Sequence, residues 1–210
     1  MTKSDFMQSK FLMDKKNTPV AEVIEVKMFE NSSPVSFVLN RGESVCIFGM
    51  NGSGKTMFIN AFCGLMRPFS GLINIYVDYL NRGVCPQFPE HLIFKETVYE
   101  EALIITGRAD KAAELLSELK INGEQSPFNL SDGEKRLLFM NGLLKSKQLL
   151  IFDEPFSSLD NTSKEKTIKA IATGLSSGKS LIYTANREKD TAFADKVIVS
   201  KLLGNNCKLL

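Results

Sequence analysis

Charge imbalance, long apolar runs and paired cysteines are all missing from this sequence. Its 26 Lys and Arg stand against 24 Asp and Glu, a net charge of +2. That is too little to expect a nucleic-acid surface or a polybasic membrane patch. No apolar run approaches the roughly 20 residues that span a bilayer. The opening MTKSDFMQSKFLMDKKNTP has no uninterrupted apolar stretch of the kind a secretory signal needs. The cysteines Cys46, Cys63, Cys85 and Cys207 are widely spaced and form no C-x-x-C pair. We expect reduced thiols in a cytosolic chain, the first three acting as packing residues. The single histidine, His91, reads as a solvated or docking residue rather than a catalyst. Internal repeats and low-complexity segments are absent as well.

What is present is an ordinary globular profile, 43% hydrophobic and 24% charged over 210 residues. That is enough for one sizeable core, or a core with a small subdomain. Residues 1–18 are expected to be a frayed tail or a weak amphipathic helix, the latter resting on Met7 and Phe11. Short β-rich runs follow: AEVIEV, PVSFVL and SVCIFG. After a glycine-rich turn, an apolar helical run is expected from Lys55 to Leu65. GLINIYV and GVCPQ read as strands, KETVYEEALIITG and ADKAAELLSELKI as helices. A helix after Ser131 leads to LLIFDEP, a continuous apolar run that suits a buried parallel strand. A helix near Lys164 to Leu175, the strand SLIYTAN, a short helix and the strand KVIVS complete the pattern. Alternating strands and helices predict a parallel α/β core. The consecutive helices interrupt it, so the expected division is a core of residues 19–89 and 146–210 with a helical subdomain at 90–145.

Three stretches carry chemistry. GMNGSGKT, Gly49 to Thr56, matches G-x-x-x-x-G-K-[ST] in full, after a strand and opening a helix. Gly49, Gly52 and Gly54 allow a tight turn whose N–H groups point at phosphate oxygens. Lys55 would reach the β- and γ-phosphates, and the Thr56 hydroxyl would ligate Mg²⁺. LLIFDEP places Asp153 at the C-terminal end of a strand, where parallel sheets bind ligands. Asp153 could hold magnesium through water, and Glu154 could polarise an attacking water as general base. LSDGEKR pairs Ser131 with Glu134 in a helix capping box.

Phosphate loop, Gln87, LSDGE, LLIFDEP and SSLD, in that order over roughly residues 20–200, resemble the nucleotide-binding domains of ABC ATPases. The resemblance implies a P-loop NTPase core with an N-terminal antiparallel β subdomain and an inserted helical subdomain. It implies ATP held by Gly49, Asn51, Gly52, Ser53, Gly54, Lys55, Thr56 and Met57, and Mg²⁺ held by Thr56, Gln87 and Asp153. Lys55, Gln87 and Glu154 are then the catalytic set. Ser131 and Gly133 would belong to the signature, often written LSGGQ, which closes over ATP on a second ATPase subunit, identical or paralogous. PQFPEHLIFKETVYEEA and SPFNLSDGEKR are similar to the energy-coupling-factor importer ATPases of the cobalt and vitamin group. By that likeness the segment Gln87 to Phe94 would dock an integral membrane subunit, or else pack locally on its own subdomain. The place implied is the inner face of the cell membrane, with no nucleic-acid partner. Relatives in DNA repair carry long coiled coils between the phosphate loop and the signature, and the spacing from Gln87 to Ser131 leaves no room for one here.

Further positions follow from the same resemblance. Asp160 in SSLD fits the loop that contacts the other subunit. Phe29 lies near the adenine-stacking aromatic of the family, or packs in the core. Three features depart from the pattern, the first being Glu134 in place of the glutamine of LSGGQ, which keeps the capping-box geometry. Asp132 puts a carboxylate where LSGGQ has glycine. The switch histidine is replaced by Ala185 or Asn186, whose side chains cannot carry an imidazolium charge. Such a chain is expected to be the ATP-hydrolysing subunit of an importer, its rate lowered by the missing histidine. The other reading is a catalytically impaired nucleotide switch paired with a competent ATPase. The chain also ends earlier than those importer ATPases, which extend into a C-terminal dimerisation segment.

Overall fold

LLIF, SLIYTA and SVCIF carry no charged residue, as strands covered on both faces require. They form β6 (Leu149–Phe152), β7 (Ser180–Ala185) and β3 (Ser44–Phe48). With β5 (Arg82–Cys85) and β8 (Lys196–Val199) they make one parallel sheet ordered β5-β6-β7-β3-β8. A second, antiparallel sheet is ordered β2-β1-β4, from β1 (Pro19–Lys27), β2 (Val35–Asn40) and β4 (Ser70–Ile75). The structure is a computed structural model and describes residues 18–157 and 159–200. The expected N-terminal tail up to residue 17, and Cys207, lie outside the described residues.

The period-two alternation of the parallel strands sorts the core into two layers. Leu150, Phe152, Leu181, Tyr183 and Cys46 face one side, where they meet α2 (Val98–Thr106), α3 (Ala109–Leu119), α4 (Asp132–Ser146) and α5 (Asn161–Ser176). Leu149, Ile151, Ile182, Val45 and Ile47 face the other, against α1 (Lys55–Phe62) and the antiparallel sheet. Each fully buried side chain of this size contributes about 1.5–3 kcal/mol. Burial pushes the thiols of Cys46 and Cys85 up to about 12 and that of Cys63 to about 11. All three are therefore neutral packing groups at neutral pH, as expected. Among the described residues no helix is long and apolar enough to cross a membrane.

Local chemistry sets the element ends. The run expected to be helical to Leu65 stops at Phe62, because Gly64 turns left-handed at φ 78 and the Leu65 N–H reaches back to Asn60 O at 2.8 Å. β5 ends at Cys85, before Pro86, which has no N–H to give a ladder. α2 starts on a Thr97–Glu100 capping box, and α5 starts on Asp160, whose Oδ1 accepts the Ser163 N–H at 2.9 Å. The register pairs Cys85 with Phe152, Phe152 with Tyr183, and Phe48 with Ala185. The segments following β3, β5, β6 and β7 therefore leave the sheet along one edge.

Candidate functional site

At that edge β3 runs into the phosphate-loop sequence. A Cβ on Gly49 would collide with Ser53 Oγ and the Ser200 carbonyl, so only glycine fits. Gly54 sits before α1 at φ 84, a left-handed conformation that glycine adopts freely. No side chain caps α1, which leaves its N-terminal turn open to an anion. Asn51 and Gly52 are exposed at the tip of the loop, and Met57 is half-buried on the first turn of α1. Lys55 is buried, with Nζ donating to the carbonyls of Gly49 (2.9 Å) and Met50 (3.1 Å) and lying 3.3 Å from Glu154 Oε1. Phe29 is partly exposed beside the loop, its ring edge 3.6 Å from where a Gly54 Cβ would stand.

The acids after β6 converge on the same place. Asp153 is buried; its Oδ2 accepts the Thr56 hydroxyl at 2.8 Å and its Oδ1 the Thr184 hydroxyl at 2.5 Å. Glu154 stands at φ 46, the left-handed region that costs a non-glycine residue about 1–3 kcal/mol. Its N–H donates to Thr184 Oγ1 at 2.8 Å, and its carbonyl accepts from Arg136 Nη1, also at 2.8 Å. Of the two candidates for the switch position, Ala185 is buried at the end of β7 and Asn186 reaches the site. Asn186 Nδ2 donates to Glu154 Oε2 at 3.2 Å and to Asn51 Oδ1 at 3.1 Å.

These groups fit a magnesium nucleotide. Ser53 Oγ is buried without a hydrogen-bond partner among the described residues, so a donor faces the loop with nothing to satisfy it. Thr56, Asp153 and Gln87 share the wall of one groove of about 670 Å³. Their hydroxyl, carboxylate and amide are hard oxygen donors. Among the described residues no group of three or more His, Cys, Asp or Glu could hold a metal ion. A cation here would therefore need phosphate oxygens and water to complete its shell, which is how Mg²⁺ is commonly held.

The segment after β5 is fixed at both ends by buried charges. Arg136 Nη2 donates to the Gln87 carbonyl at 2.5 Å. Glu101 Oε2 accepts the N–H groups of Phe94 and Lys95, each at 3.0 Å. Between these anchors Phe88 and Phe94 are exposed, and the His91 ring lies 5.9 Å from that of Phe88 at the rim of the groove. Arg136, Glu101 and Thr184 did not stand out in the sequence.

The turn Ser131–Glu134 forms the expected capping box. Ser131 Oγ accepts the Glu134 N–H at 3.3 Å, and Glu134 Oε2 accepts the Ser131 N–H at 2.9 Å. Asp132 points outward, 76% exposed, with Oδ1 3.5 Å from Lys135 Nζ. Gly133 is half-buried in the same turn. Among the described residues none of the turn's hydrogen bonds reaches the phosphate loop, so polar contacts within this chain do not join Ser131 and Gly133 to Lys55. Asp160 spends its carboxylate on capping α5, with Oδ2 accepting the Ser163 hydroxyl at 2.8 Å.

A family model described as ABC transporter matches residues 32–157. The chain is 33% identical over 201 residues to an ABC transporter ATP-binding protein of Bifidobacterium longum, covering 78% of this chain and only 26% of that one. It is 31% identical over 205 residues to the energy-coupling factor transporter ATP-binding protein EcfA2 of Mycoplasma pneumoniae, covering 84% of this chain and 67% of the relative. Among solved structures, cbiO1 of Clostridium perfringens, described as part of the ABC transporter complex cbiONQ, superposes with a TM-score of 0.72 at 22% identity. That match covers 88% of this chain and 86% of the other, and it shows a shared fold.

Proposed function

The chain belongs to the ABC transporter family of ATP-binding domains, and from that premise we propose that it is the ATP-hydrolysing subunit of an energy-coupling-factor-like importer. The observation that carries this reading is the meeting of Lys55, Thr56, Asp153 and Glu154 at one sheet edge, beside the unpaired Ser53 hydroxyl. Bound Mg-ATP would supply the transferable γ-phosphate and the cation that neutralises its charge. Lys55 would turn from the Gly49 and Met50 carbonyls toward phosphate oxygens. Thr56, Asp153 and Gln87 would hold the cation, directly or through water. Glu154 would orient a water and take its proton, with Asn186 steadying Oε2. Ser131 and Gly133 would meet ATP on a second ATPase subunit, in a sandwich whose closing and opening drive transport.

We place the membrane-facing surface on Gln87 to Phe94, where Phe88 and Phe94 are exposed and Phe88 lines the groove that holds Thr56 and Asp153. Residues 19–89 and 146–210 would act as the catalytic core and 90–145 as the helical subdomain, at the inner face of the membrane. The Lys55–Glu154 ion pair and the amide at position 186 support a second reading, a slow nucleotide switch paired with a competent ATPase. Single-turnover hydrolysis of Mg-ATP by the purified chain separates the two. The importer reading expects turnover that Glu154→Gln lowers. Tight binding without turnover supports the switch, and no binding sinks both. Lys55→Ala removes a charge-assisted bond to phosphate worth about 1.5–3 kcal/mol, so its Mg-ATP affinity should fall on the order of tenfold to hundredfold; unchanged affinity overturns the phosphate-loop assignment.

A further inference from the structure

Arg136 is 3% exposed, and no carboxylate among the described residues lies within ion-pair distance of it. A buried cation without a counter-charge is a costly placement that an apolar side chain of similar length would avoid. Its guanidinium is instead spent on two backbone carbonyls from different parts of the chain. Nη1 donates to Glu154 O at 2.8 Å and Nη2 to Gln87 O at 2.5 Å, while Nε has no partner among the described residues. The two carbonyls belong to the residues assigned to the attacking water and to the metal. Glu154 is also held in a left-handed conformation, pinned on its N–H side by Thr184 and on its carbonyl side by Arg136. Arg136 lies on α4 one turn beyond the exposed Ser131 cap. The cap and the guanidinium therefore belong to one continuous helix.

We propose that Arg136 is a positioning residue that ties the loop after β5 to the turn after β6, so that α4 sets Gln87 and Glu154 together. The planar fork is what allows this, because two parallel N–H groups reach two acceptors in one fixed geometry. An ammonium at this position is a single point donor on a flexible stem and lacks the two fixed directions of the fork. The role rests on the ATPase reading for its catalytic consequence but not for the mechanical link itself.

The test uses the full chain with Arg136→Met and Arg136→Lys, read by fluorescent Mg-ATP titration, single-turnover hydrolysis and amide hydrogen exchange. With Arg136→Met, hydrolysis at saturating Mg-ATP should fall about tenfold or more, as displaced catalytic groups do, while affinity stays within about threefold because the phosphate loop is untouched. Exchange should rise in residues 86–90 and 154–157 together. With Arg136→Lys, which keeps the charge but not the fork, exchange in both segments should rise less than with methionine, with an intermediate rate. A wild-type rate and unchanged exchange in Arg136→Met overturn the proposal, as does a loss of affinity equal to the loss of rate. If the methionine variant does not fold, the lysine variant decides: both segments unchanged at a wild-type rate overturns the link. A wild-type chain that binds no Mg-ATP instead sinks the ATPase reading, and the exchange measurements then judge the link alone.

Discussion

Thr184 shows how one hydroxyl organises this site. It is fully buried in β7, donates to Asp153 Oδ1 and accepts from the Glu154 N–H. Thr184→Val keeps the shape and removes both bonds, leaving a buried N–H unpaired. We expect a loss of about 1–3 kcal/mol, read as a lower urea midpoint, with Thr184→Ser recovering most of it. A valine variant as stable as wild type would show that the hydroxyl is not needed there. Asn186 makes a second prediction at this scale. An amide does not titrate, so the hydrolysis rate should show no step from this position between about pH 6 and 8, and Asn186→His should introduce one near pH ~6.5. Lys55, Thr56, Asp153 and Glu154 were legible because their spacing is local. Thr184 and Arg136 were not, because their partners sit far away in the chain and meet them only through strand register and helix packing.

At the scale of elements, the start of α4 makes the most specific prediction. The Ser131 hydroxyl and N–H hold the Glu134 carboxyl below the ordinary glutamate range. A carboxyl depressed by folding stabilises the fold above its unfolded value and loses that contribution as pH falls through the folded one. The stability difference between wild type and Glu134→Gln should therefore be present at neutral pH and shrink below about pH 4.5. A difference independent of pH down to about 3 would show that the cap does not depend on the charge. Ser131→Ala should cost about 1 kcal/mol at neutral pH, measured by urea unfolding. This cap was readable from Ser131 and Glu134 alone, and so was the strand character of LLIF. The early end of α1 was missed, since Gly64 weighs on the helix only once its φ is known.

The whole molecule is a double-faced parallel sheet whose strands deliver four loops to one edge. Beside Gln87 the exposed Phe88 and Phe94 form the surface proposed for a membrane partner. Phe94 is 75% exposed, so Phe94→Glu should leave thermal stability and Mg-ATP affinity unchanged. The same substitution should abolish co-purification of integral membrane proteins with the chain. Recovery of the same membrane proteins with the variant would move the docking surface elsewhere. Glu101, buried in α2, anchors the far end of this segment through two N–H groups. No periodicity marks it, because a buried carboxylate is chosen by the loop it must satisfy rather than by its own helix.

The sequence by itself determined the class of the protein. Glycine spacing, a lysine and threonine at the head of a helix, and two acids after an apolar strand are local patterns whose chemistry does not depend on distant contacts. Only the tertiary structure decided which groups steady them. It brought the Asn186 amide to Glu154, turned Asp132 toward Lys135, and set Arg136 between Gln87 and Glu154. Those outcomes depend on which faces the strands bury and where the helices cross, and the chain settles both only when its two core layers close on the sheet.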